Sequence, residues 1–136
     1  MAGASHPDPN FDARPLSPHL TIWRWHVTMA VSILHRVTGV ALYAGIILFA
    51  GWLAAVAAGP ELYAPVAAFL MSPLGQLGLY ALVGALAFHL ANGVRHLVLD
   101  TGRGMNPSDA DASAWFSILF AFAAPLGLWA LVSFGR

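Results

Sequence analysis

Two short clusters gather most of the side chains in this chain that could carry chemistry. The first is Ser32-Ile33-Leu34-His35-Arg36-Val37-Thr38-Gly39, and the second runs from His89 through Gly93-Val94-Arg95-His96 to Asp100. There is no cysteine among the 136 residues. Iron–sulfur ligation, zinc–thiolate sites, disulfides and covalent c-type haem attachment are therefore excluded within the chain. The six histidines are its good metal ligands. On a helix, Ala85, His89 and Gly93 recur every four residues, so the His89 imidazole has a small residue one turn to either side. A bulky flat ligand fits against such a face. A neighbouring helix that the histidine hydrogen-bonds would fit there too. Ser32 and Arg36 also share a helix face, with His35 about 100° round from Arg36.

The elements that must hold these residues are membrane spans. The chain is 59% hydrophobic and 9% charged, a composition far too apolar for a soluble domain of this length. Its six basic residues are all arginines, balanced by six acids, so there is no basic patch to neutralise nucleic-acid phosphates. From Val37 to Pro60 the chain carries no charge. As a helix that run extends about 36 Å, enough to cross roughly 30 Å of hydrocarbon. The expected fold is an all-α integral membrane protein with three transmembrane helices, at about 30–58, 74–99 and 114–134. A cytoplasmic and interfacial segment, 1–26, precedes this membrane domain, 27–136. Its Trp23, Arg24 and Trp25 suit headgroup depth. Residues 60–73 read as a connection with a brief interfacial helix near Val66–Leu70. Residues 101–109 read as a polar turn, with Ser108 or Ser113 capping the last helix.

Five arginines (Arg14, Arg24, Arg36, Arg95 and Arg103) fall on the side of the N-terminus and the second loop, and Arg136 falls opposite. The positive-inside rule puts the N-terminus in the cytoplasm and the C-terminus outside. Residues 1–12 contain two prolines, two aspartates and no arginine, unlike a basic transit peptide or a secretory signal. A multi-pass protein of the bacterial inner membrane is expected, ahead of the mitochondrial inner membrane.

Antiparallel spans bring the start of the first beside the end of the second. His35, Arg36, Arg95 and His96 then converge at one end, with His89 about 16 Å inside Asp100 along the helix axis. A haem edge-on in the membrane would want this layout: an imidazole for iron at depth, small residues beside the macrocycle, and cationic donors near the surface for its propionates. His96 lies two turns beyond His89 on nearly the same face, so it reads as a propionate or interface partner. A six-coordinate haem would take its second histidine from another chain.

At this point the sequence resembles the cytochrome b membrane-anchor subunits of succinate dehydrogenase, respiratory complex II. The matching signatures are Arg14-Pro15-Leu16 leading to Ser32-x-x-His35-Arg36-x-Thr38, and His89-x-x-x-Gly93-Val94-Arg95-His96-Leu97-x-x-Asp100. Position 99 is Leu, where the family more often has an aromatic residue or methionine. The resemblance implies that His89 is an axial ligand of haem b, shared with a second small membrane-anchor subunit. It implies that His35 and Arg36 lie near the haem propionates, with Arg95 and His96 close by or at interfaces. Ser32 and Arg36 would line a ubiquinone pocket. The implied partners are that second anchor, an iron–sulfur subunit, a flavoprotein subunit and the lipid bilayer, with no succinate site in this chain. Three alternatives stand beside it: the anchor of a quinol–fumarate reductase, a haem-free structural anchor, and a proton- or ion-conducting subunit. The absence of an intramembrane carboxylate argues against the last.

Overall fold

The computed structural model describes residues 22–135, with the N-terminal tail, the Arg14-Pro15-Leu16 stretch and Arg136 outside the described residues. Four helices follow in order: α1 (Val27–Ala58), α2 (Pro60–Met71), α3 (Pro73–Asp100) and α4 (Pro107–Phe134). Three of them, α1, α3 and α4, are long and apolar enough to cross a membrane. These correspond to the three expected spans: α1 and α3 exceed the expected bounds by one to three residues, and α4 begins about two turns earlier than expected, at Pro107.

Two boundaries differ from expectation. The connection after the first span is a full helix of 12 residues, because Gly59 turns the chain at φ +104°, in the left-handed region that favours glycine. Pro60 then opens α2 at a position where its missing N–H costs nothing. The last helix starts at Pro107 after an extended Asn106, with no side-chain cap. Neither Ser108 nor Ser113 caps it. Ser113 lies a turn and a half inside the helix, and its hydroxyl donates to the Ala110 carbonyl at 3.0 Å. By contrast, Ser72 is a working cap for α3, accepting from the Gly75 N–H at 3.2 Å.

The helices are antiparallel neighbours. Gly39 faces His89 and Gly45 faces Leu82 across α1 and α3, while Gly84 faces Ala121 and Pro125 across α3 and α4. A small buried cluster of Val31, Phe88 and Ala114 marks where all three spans meet, with Val27, Ile118 and Ala121 packed around it. Little else is buried. None of the most apolar window of α1 is buried, nor more than 17% of that of α3. In water such a surface would drive aggregation; in a bilayer it is what the helices need, since their backbone groups are satisfied internally. The start of α1, the end of α3 and the start of α4 meet at one end. There His26 Nε2 lies 3.4 Å from Asp111 Oδ2.

Candidate functional site

At that shared end α3 presents His89 to α1. Its ring lies flat on that of His35, with centroids 3.9 Å apart and planes 10° from parallel. His96 meets His35 edge-on, at 5.3 Å and 61°. The close approach depends on glycine: a Cβ on Gly39 would sit 3.2 Å from His89 Cε1. On the other helix, a Cβ on Gly93 would sit 3.9 Å from His35 Cε1. The first contact is tight enough to require glycine at 39, whereas the second is an ordinary van der Waals distance.

The surroundings of His89 decide its tautomer. Nδ1 lies 3.2 Å from the His35 carbonyl oxygen and 3.2 Å from Thr38 Oγ1. A carbonyl oxygen can only accept, and the single Thr38 hydroxyl proton has a closer acceptor in the Leu34 carbonyl at 2.8 Å. Nδ1 is thus the protonated nitrogen. In the neutral ring Nε2 then carries the lone pair, the form in which an imidazole binds a metal while its other nitrogen is held by an acceptor.

The residues present fit a haem. An apolar groove of about 890 Å³ opens between α1 and α3, where Ala41, Ala44 and Gly45 of α1 and Gly78, Ala81 and Ala85 of α3 stand among larger apolar side chains; His89 itself is not in its lining. Ala85 stands one turn from His89. His35 Nδ1 is buried with no hydrogen-bond partner among the described residues, a donor or acceptor in reserve for a polar edge. Arg36 is exposed on α1, and Ser32, one turn earlier on the same face, is half-buried. No group of three or more metal-ligating side chains occurs among the described residues. A single imidazole is what a haem iron requires of one chain.

The structure does not gather Arg95 with these groups. Arg95 is only 8% exposed, and it donates from Nε to Ser113 Oγ at 2.9 Å and from Nη2 to the Ala110 carbonyl at 3.2 Å. Adjacent residues on a helix point about 100° apart. His96 therefore looks toward α1, while Arg95 shares with Phe88 and Asn92 the face turned to α4. Convergence of all four basic side chains was expected from their common depth, but depth alone does not give direction. Two contributors were overlooked. Thr38 is a matched residue of the first signature with no role attached to it there, although a hydroxyl three residues after His35 on one helix was the available signal. Asn92 is wholly buried, with neither amide atom hydrogen-bonded among the described residues.

Residues 11–128 match the family described as succinate dehydrogenase/fumarate reductase transmembrane subunit. The chain is 38% identical to the succinate dehydrogenase cytochrome b556 subunit of Paracoccus denitrificans, over 93% of its own length and 96% of that protein. It is 38% identical to the human mitochondrial succinate dehydrogenase cytochrome b560 subunit, over 87% of its length and 71% of that protein. With the cytochrome b556 subunit of Rickettsia felis it shares 32% identity, over 88% and 93% respectively.

Proposed function

This chain belongs to the succinate dehydrogenase/fumarate reductase transmembrane-subunit family, and on that premise we propose that His89 holds the iron of haem b through Nε2, with the other axial ligand supplied by a second, smaller anchor subunit. The chain is a cytochrome b membrane anchor of succinate dehydrogenase, an integral membrane member of a complex with flavoprotein and iron–sulfur subunits. The three relatives named above are all succinate dehydrogenase subunits, which favours succinate oxidation over a fumarate reductase. The likeness to the Paracoccus protein supports a bacterial inner membrane.

The chain serves electron transfer without a succinate site of its own. Bound haem b supplies one-electron redox capacity inside the membrane. His35 lies flat against His89 and limits its rotation, and its buried Nδ1, with the exposed His96 beside it, serves the propionate side. Ser32 and Arg36 serve ubiquinone. A guanidinium that never loses its proton offsets the negative charge that grows on quinone oxygens as electrons arrive, and the serine hydroxyl donates to a carbonyl oxygen to orient the ring. Electrons enter from an iron–sulfur subunit docked on the cytoplasmic side, where these residues collect.

The observation that carries the haem assignment is the hydrogen-bonded Nδ1 of His89, which leaves Nε2 for iron. The test is the absorption and EPR spectrum of the purified complex. His89→Ala is expected to abolish the low-spin haem b signal while His96→Ala retains it. A low-spin signal untouched by His89→Ala, or lost only with His96→Ala, overturns the assignment.

A further inference from the structure

Thr38 is placed to act on haem through His89, an inference that rests on the haem reading above. The Thr38 hydroxyl lies within hydrogen-bond distance of three groups: the Leu34 carbonyl at 2.8 Å, the His35 carbonyl at 3.0 Å and His89 Nδ1 at 3.2 Å. Threonines in membrane helices often bond back to the carbonyl four residues earlier, and that bond alone would make Thr38 a structural residue of α1. The third contact is different in kind, because it crosses to α3 and ends on the inner nitrogen of His89 in a region where few polar groups are available. Were Nδ1 unprotonated, its lone pair would face the lone pairs of the His35 carbonyl at 3.2 Å, a repulsive arrangement. With Nδ1 protonated, both oxygens accept from it. Gly39, next in sequence, leaves the ring space to reach them, since a Cβ there would press on His89 Cε1 at 3.2 Å.

We propose that Thr38 is a positioning residue: with the His35 carbonyl it holds His89 in the Nδ1–H tautomer, aims Nε2 at the haem iron and tunes the haem's reduction potential. An acceptor on Nδ1–H draws the proton away from the ring and makes Nε2 a stronger donor. A stronger donor favours the ferric over the ferrous state, so the hydroxyl lowers the potential. The carbonyl contact comes from the backbone and survives any substitution at 38, whereas the hydroxyl contact does not. Thr38→Val keeps the shape and β-branching and removes the hydroxyl, both as acceptor from Nδ1–H and as donor to the Leu34 carbonyl within α1.

The experiment is a redox titration of haem b in the assembled complex, with the low-spin EPR signal recorded alongside. Thr38→Val should retain haem, shift the midpoint potential upward and alter the low-spin g-values, while Thr38→Ser should restore both to wild type. Thr38→Ala gives the same reading should valine impair assembly. A potential and EPR signal unchanged from wild type in the hydroxyl-free variant overturn the proposal, as does a shift that Thr38→Ser fails to reverse. The haem assignment fails separately, if wild-type complex shows no low-spin haem that depends on His89.

Discussion

His35 and His89 lie face to face, with ring centroids 3.9 Å apart and planes 10° from parallel, although they are 54 positions apart in the chain. Stacking of this closeness fixes the plane of both rings. His35→Phe preserves a flat ring against His89, and His35→Ala removes it. Low-spin haem b should survive better in the phenylalanine variant, with the EPR line of the alanine variant broadened by a looser ligand. Equal spectra in the two variants would show that the stacking contributes nothing to the ligand's orientation.

Ser32 and Arg36 are assigned to quinone chemistry, so their loss should separate two activities. Ser32→Ala and Arg36→Leu should each lower succinate–ubiquinone activity sharply, with Arg36→Leu the more severe, because it removes a charge and not one neutral hydrogen bond. Succinate oxidation by a dye that takes electrons upstream should persist. The quantity to measure is the ratio of the two activities per assembled complex. An unchanged ratio in both variants would sink the quinone role.

Arg95 joins α3 to α4. Replacing Ser113 with alanine leaves Arg95 Nε without its acceptor at 2.9 Å. A hydrogen bond to a charged group is worth about 1.5–3 kcal/mol in soluble proteins, but interhelical bonds in membranes average about 0.6. An intermediate loss of about 1 kcal/mol is expected, read as a lower midpoint of thermal unfolding in detergent. The low-spin haem spectrum of the intact complex should be unchanged in Ser113→Ala. A spectral change without loss of stability would return Arg95 to the haem.

The meeting of His26, Arg95 and Asp111 at one end makes the topology testable. Reporter fusions within 101–106 and after the C-terminus should report opposite sides of the membrane, cytoplasmic for the loop and external for the C-terminus. Matching reports would show that α4 does not cross the membrane.

Much of this protein is written locally. The uncharged run from Val37 to Pro60 determines a membrane span, because hydrocarbon tolerates no unsatisfied backbone and helix is the local remedy. The spacing of Ala85, His89 and Gly93 likewise marks a face built for close approach, and the resemblance of the two signatures points to haem. Boundaries were less legible. The helix at Pro60–Met71 depends on a glycine turn and a proline start at Pro60, and Pro73 opens α3 in the same way, signals that hydropathy ignores.

What only the tertiary structure decided is direction. Arg95 and His96 are consecutive, equally polar and at the same depth, so nothing in their order says which serves α4 and which meets His35. The packing angle of α3 between its neighbours chooses, and it turns Arg95 to Ser113. The same holds for Thr38, whose hydroxyl has ordinary acceptors within its own helix. It acquires a partner in His89 only because antiparallel packing, with Gly39 at the crossing, brings an imidazole from 51 positions away within 3.2 Å. Local sequence dictates helices and their depth through short-range physics. The rotation of each helix about its axis is set by how ridges of one fit grooves of the next, a property of the assembled helices together.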